Sequence, residues 1–179
     1  EVKSNITSTI SQMNVKINKS RVNFMISIFY LFLGIKGRMN FLQFSRYSDY
    51  NEKTFRNNFQ KEFDFLQFNK VLIDTQSTKV CAIAFDPSYV SKSGKKTPGI
   101  GYFWSGSASA SKIGLEFCGI AALDKENHTA YHLDAFQTVG VEETESLVNF
   151  YARKIIERKD MLLPISQHLV ADAYFSKKN

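Results

Sequence analysis

The sequence predicts an α/β chain, α+β in its N-terminal part, with helices over residues 1–78 and a mixed sheet plus a crossover helix over residues 79–179. Three observations predict it. Phe55, Phe59 and Phe63 recur every four residues, the spacing of one helix face. After residue 79 the pattern turns to short apolar runs, the first of them unbroken over residues 81–85, as a strand covered on both faces reads. Between the later runs, residues 142–161 carry glutamates early and arginines and lysines late, which suits a helix dipole.

Taken in order, residues 1–20 are polar and β-branched and read as a helix or a loose leader. Residues 21–34 are apolar nearly all round and predict a buried helix ended by Gly34 and Gly37. A shorter segment, 40–46, and a turn through Ser48 and Asp49 lead to a second helix over 52–63. Its cap is either Asp49, which has capping-box spacing to Glu52, or Asn51. The phenylalanine stripe faces inward there and leaves Lys53, Arg56, Asn57, Gln60 and Lys61 outward, a helix-turn-helix pattern with a basic, amide-bearing face. An ordinary helical hairpin with a soluble face has the same pattern. A linker is expected around 74–78.

Strands follow at 80–85, 100–104, 112–123 and 129–137, with a turn at 124–127. Pro164 stops the helix, and residues 168–175 give one more apolar run. These strands, a helix and a strand make a meander whose crossover returns the last strand parallel to the first.

Composition narrows the functional classes. With 44% apolar and 22% charged residues, the chain is globular rather than disordered. Its longest apolar stretch, residues 22–35, falls short of the roughly 20 residues that span a bilayer. Cys81 and Cys118 lie in strand-like runs without metal or redox spacing, so buried free thiols in a reducing, cytoplasmic setting are expected. The three histidines show no ligand spacing either. The chain lacks an initiator methionine and a signal-peptide pattern, and is expected to be cut at both ends. Residues 1–80 hold twelve Lys/Arg against six Asp/Glu, whereas the rest is neutral. A basic half suits a polyanion such as nucleic acid, or is simply a solvated lysine-rich surface.

The residues that point to chemistry are two aspartates. Asp86 follows the run 81–85 and precedes a proline, which is expected to end the strand and present the acid at a sheet rim. The blander reading is an Asp-Pro pair that opens a turn. Asp172 ends a second run of the same design, and a parallel return places it beside Asp86. Neighbouring carboxylates repel and call for a shared proton or a divalent cation, and oxygen donors suit Mg²⁺ or Mn²⁺. The loop over 91–99 contains Gly94, Lys95, Lys96 and Thr97, yet it lacks the spacing and context of a phosphate-binding loop. Lys95 and Lys96 are expected to touch a phosphate backbone or to be merely exposed.

Four segments in order carry a family resemblance. They are Ala84-Phe85-Asp86-Pro87-Ser88-Tyr89-Val90-Ser91-Lys92-Ser93-Gly94-Lys95-Lys96-Thr97, Gly101-Tyr102-Phe103-Trp104-Ser105-Gly106, Tyr131-His132-Leu133-Asp134-Ala135-Phe136-Gln137-Thr138 and Val170-Ala171-Asp172-Ala173-Tyr174-Phe175-Ser176. Over residues 80–179 the chain resembles the catalytic core of DDE transposases of bacterial insertion sequences. The resemblance implies a partial ribonuclease H-like fold and Mg²⁺-dependent cleavage and transfer of DNA strands at transposon ends. It also implies catalytic and metal-binding roles for Asp86 and Asp172 and a homodimer in the synaptic complex. The helical part is similar in type to the DNA-binding region that precedes such cores, with Lys53, Arg56, Asn57, Lys61, Lys95 and Lys96 as the DNA contacts. The family's third acid, a glutamate on a later helix, has no counterpart: Glu143, Glu145 and Glu157 precede Asp172 and are expected to lie away from the rim. The chain is therefore expected to be a fragment, inactive alone. Asp134, on the strand over 129–137, is a further acid considered for the site, and is expected rather to be an exposed residue of the meander. Two further readings are a DNA-binding protein that keeps the core as a scaffold, and a ribonuclease H-like nuclease of another kind.

Overall fold

Short polar side chains set the helix starts in the N-terminal part of the computed structural model, which describes residues 1–76, 80–94 and 96–176. The chain divides into two units, Glu1–Leu72 and Ile73–Asn179. In chain order the helices are α1 (Val2–Gln12), α2 (Lys19–Gly34), α3 (Phe41–Arg46), α4 (Glu52–Phe59) and α5 (Phe65–Gln76). Asn18, Asn40 and Asn51 cap α2, α3 and α4. Each accepts a hydrogen bond from the backbone N–H three residues on, at 2.8–2.9 Å. Asp64 does the same for Gln67 at the head of α5.

The core of the first unit is largely aromatic. The Phe55 ring lies 5.6 Å from Phe24, 5.4 Å from Phe44 and 6.0 Å from Tyr50, with inclined ring planes that suit the aromatic quadrupole. The Arg21 guanidinium crosses from α2 to the C-terminal end of α4. It donates to the Asn58 carbonyl at 2.8 Å and the Lys61 carbonyl at 3.2 Å, which ties α2 to the end of α4 and the turn past it. Burial lowers its pKa from the usual arginine range.

Three expectations change here. The helix predicted over 52–63 ends at Phe59, so Lys61 sits in the turn beyond it and Phe59 stays 48% exposed. The helix expected to be buried all round leaves Tyr30, Phe32 and Leu33 exposed. Helix α5 was not expected, and it runs to Gln76 where a linker was read from 74 onward. The rest of that linker, residues 77–78, lies outside the described residues, as does Lys79.

In the second unit the elements are β1 (Val80–Ser91), β2 (Gly101–Ser105), β3 (Ala110–Asp124), β4 (Thr129–Gln137), α6 (Leu147–Ile156), α7 (Lys159–Leu162) and β5 (Leu169–Val170), with 3-10 turns at Gly106–Ala108 and Ala173–Ser176. Strand β3 is the spine. β1 runs antiparallel along one edge, from Val80 opposite Asp124 to Ser91 opposite Gly114. The other edge is shared: β4 pairs with residues 117–124 and β2 with residues 110–114. β5 joins the free edge of β1 in parallel, after the crossover through α6. The sheet is therefore mixed, and the predicted parallel return is present.

One face of this sheet carries the core. Alternation along β3 buries Glu116, Cys118, Ile120, Ala122 and Asp124 and leaves the residues between them half-buried. Phe150 and Tyr151 of α6 pack on this buried face against Phe136, at 6.3 and 6.2 Å between ring centroids. The helix predicted over 142–161 is shorter, because Ser146 caps it by accepting from the Asn149 N–H. Glu145 stays outside it and receives a bidentate pair from Arg153 at 2.8 and 2.7 Å, which holds its carboxyl below the usual range. No helix among the described residues is long and apolar enough to cross a membrane.

Candidate active site

Strand β1 does not stop at Phe85. It runs on through Asp86 and Pro87 to Ser91, so Asp86 stands within the strand and not at its end. The reason is the direction of each peptide nitrogen. The Ile83 N–H donates to the His168 carbonyl at 2.8 Å, toward β5. Alternation points the nitrogen of Pro87, four residues on, to that same edge. β5 has ended by then, its last pair being Ala84 with Val170. The proline therefore gives up no ladder bond, and pairing with β3 continues opposite Cys118.

The rim expected at Asp86 is formed instead where β5 leaves the sheet. Asp86 and Asp172 each lie two residues past the last parallel pair, Asp86 still within β1 and Asp172 just beyond the end of β5. Both are exposed. Asp86 pairs in register with Gly119 and faces away from Phe85, on the side of the sheet opposite α6. Gly119 adds no side chain beside it. The Ser88 hydroxyl, on the same face, donates to Asp86 Oδ2 at 3.4 Å. Past Asp172 the chain turns into the 3-10 segment, where the Phe175 N–H donates to the Asp172 carbonyl at 3.2 Å. The Asp86 and Asp172 side chains are both exposed hard-oxygen donors, of the kind that suits Mg²⁺ or Mn²⁺. Among the described residues no group of three or more His, Cys, Asp or Glu side chains converges to hold a metal ion.

The other acids are engaged elsewhere. Asp134 lies on the α6 face, opposite Ile120, and its carboxylate accepts from Arg158 Nε at 2.7 Å. It belongs to the packing of the crossover, with Arg158 stacked on Phe136 at 4.7 Å. Glu157 pairs with Lys154 at 3.0 Å and Arg153 at 3.2 Å, and Glu145 pairs with Arg153, so neither approaches Asp86. Glu143 is exposed in the segment before α6.

Of the residues read as DNA contacts, Lys53, Asn57 and Lys61 are exposed on and just past α4. Arg56 is exposed too, but its guanidinium is paired to Glu52 and lies 5.4 Å from the centre of the Phe41 ring. Lys96 is exposed in the loop between β1 and β2, and Lys95 lies outside the described residues.

Sequence reasoning missed a buried polar cluster beneath the site. Glu116, on the α6 face, accepts from the Thr138 hydroxyl at 3.1 Å and from the Tyr151 hydroxyl, while Thr138 and Tyr151 lie 2.7 Å apart. Burial, and then the bond to Glu116, raises the Tyr151 pKa above the usual phenol range. A glutamate at a core position of an alternating strand was the available signal. Cys118, two residues further along β3, is fully buried, and burial reinforced by the Asp86 charge pushes its thiol up to about 12. Cys81, expected to be buried, is exposed, since a register shift between Val80 and Ala82 interrupts the ladder there. A thiol-reactive dye is accordingly expected to titrate one cysteine in the native protein and two in denaturant. Two fast-reacting native thiols would contradict the burial of Cys118.

Compared with protein-family models, with curated proteins and with solved structures, the chain matches none.

Proposed function

We propose that this chain carries part of the ribonuclease H-like core of a DDE-type DNA transposase over the second unit, without the third acid and so inactive alone, and a DNA-binding region in the helical first unit. The observation that carries the reading is the parallel register of β1 and β5, Ile83 with Leu169 and Ala84 with Val170, with Asp86 and Asp172 each two residues further along. The mixed order of β4, β3, β1 and β5, with a helical crossover before β5, supports the same core. In this reading Asp86 and Asp172 hold Mg²⁺, and the Ser88 hydroxyl steadies the Asp86 carboxylate. When bound, the metal would polarise the scissile phosphodiester and activate an attacking water or 3′-hydroxyl. The protein's part is to fix the two carboxylates on a rigid sheet, facing a side that Gly119 leaves open to a DNA backbone. The two ends of a transposon are brought together by a homodimer.

The test is Mn²⁺ binding followed by electron paramagnetic resonance. The wild-type protein is expected to bind Mn²⁺. Asp86→Asn and Asp172→Asn are each expected to weaken binding at least about tenfold, since even outer-shell losses cost 10–100-fold at metal sites. Titrations of both variants that overlay the wild type would remove the basis of the proposal. A second reading, DNA binding without catalysis, is favoured by the exposed Lys53, Asn57 and Lys61 around α4. It predicts duplex binding that weakens with salt and is indifferent to both Asn variants.

A further inference from the structure

Beyond the two acids, the same open face of the sheet carries a group of exposed apolar side chains. Tyr102 pairs in register with Ile113, and Trp104 with Ser111, at the end of β3 that projects past β1. Paired residues of an antiparallel ladder share a face, and β3 alternates without a break from Ser111 to Gly119. Tyr102, Trp104, Ile113 and Val90 therefore lie on the face that carries Ser88 and Asp86. Their exposures are 77%, 62%, 48% and 46%. Two aromatics left this open on one strand face are a cost in water unless a partner covers them.

The surrounding charge identifies the partner. From Pro87 to Leu115 there is no acidic residue, while Lys92, Lys95, Lys96 and Lys112 fall in that stretch. Lys92 and Lys96 are exposed between β1 and β2, and Lys112, also exposed, pairs with Phe103 on the other face of β3. A basic segment with two open rings suits a strand whose phosphates meet lysines and whose bases stack. Duplex bases offer no free faces, so the complementary ligand is unpaired DNA. Six residues along β3 separate the positions of Ile113 and Gly119, about 20 Å at ~3.3 Å per residue, which is a few nucleotides of extended strand.

We infer that Tyr102 and Trp104 form a stacking platform for unpaired bases of a DNA strand whose backbone leads along the sheet to Asp86. The inference rests on the nucleic-acid reading of this face, and it adds a single-stranded segment near the reacting phosphate as the recognised feature. Its signal in the sequence is the i, i+2 spacing of Tyr102 and Trp104 within a run free of acids.

Trp104 is the only tryptophan in the chain, so it reports its own environment. The experiment titrates the full chain, in EDTA, with a short single-stranded oligothymidylate and with a duplex of equal length, reading tryptophan fluorescence and the anisotropy of labelled DNA. Quenching by the single strand is expected, with at least tenfold preference over the duplex. Trp104→Ala is expected to weaken single-strand binding about tenfold and Tyr102→Ala by a similar factor, whereas Trp104→Phe retains most of it. Both side chains are exposed, and an unchanged circular dichroism spectrum shows that a variant is folded.

Unquenched fluorescence, equal affinity for the two DNA forms, or quenching that follows protein concentration without DNA would each overturn the inference, the last in favour of contact between copies. Because EDTA removes any metal, these outcomes are independent of the Mn²⁺ titration. Stacking can fail while the metal site stands, and the reverse.

Discussion

Phe55→Ala is expected to destabilise the helical unit by about 3–5 kcal/mol, the range for deleting a buried aromatic ring. Its side chain is 0% exposed and touches Phe24, Phe44 and Tyr50, rings contributed by α2, by α3 and by the turn before α4. The space left behind cannot close without moving two helices. A loss of this size is a large share of the 5–15 kcal/mol that a domain typically has. Phe59→Ala provides the contrast. Phe59 stands at the last position of α4, 48% exposed, and its removal is expected to cost less than about 1 kcal/mol. Urea denaturation followed by far-ultraviolet circular dichroism separates the two. Equal losses would mean that α4 extends past Phe59 and buries a longer stripe.

That contrast marks where the sequence was legible in the first unit. The four-residue spacing of Phe55, Phe59 and Phe63 identified the helix and its inner face, and Asn51 was one of the two caps named. The end of the helix was not legible, because it depends on Arg21, about forty residues away, donating to the carbonyls of Asn58 and Lys61. Helix α5 escaped notice although its cap, Asp64, is an ordinary N-cap residue. Its apolar residues, Phe65, Leu66, Phe68, Leu72 and Ile73, fall between the helix read to 63 and the linker read from 74, and were given no element of their own.

In the second unit the strands, the crossover and the parallel return were all readable from runs of apolar residues and one helical pattern. What failed was a local rule applied without its neighbours. Proline ends a strand only when its nitrogen faces an occupied edge, and the identity of that edge follows from where β5 stops. The same limit applies to α6, where Ser146 set the start and Glu145 before it found a cation in Arg153. Asp134 was read as an exposed residue of the meander, whereas its carboxylate is half-buried and pairs with Arg158 on the covered face, a partner that the sequence did not name. The parallel neighbourhood of the segments that carry Asp86 and Asp172 was legible because it depends on topology, through two short parallel pairs.

Gly114→Ala carries the second large effect, about 1–3 kcal/mol from overpacking. Gly114 is the residue where β1, β3 and β2 meet, opposite both Ser91 and Gly101. A methyl group there would come within 2.5 Å of the Val90 carbonyl oxygen and of the Tyr89 ring. The backbone oxygen cannot swing aside, and the ring is held by the Tyr89 hydroxyl donating to the Ile113 carbonyl at 2.8 Å. Relief requires β1 to part from β3 at the point where the β2 hairpin begins. The variant is therefore expected both to melt earlier and to shift the fluorescence of Trp104, three residues beyond Gly101. Gly106→Ala, where a methyl group meets nothing within 4 Å, is the control and is expected to be near neutral. If the two variants melt together with the wild type, the close approach at Gly114 is not part of the native structure. The hairpin that carries Tyr102 and Trp104 would then lose its fixed relation to Asp86.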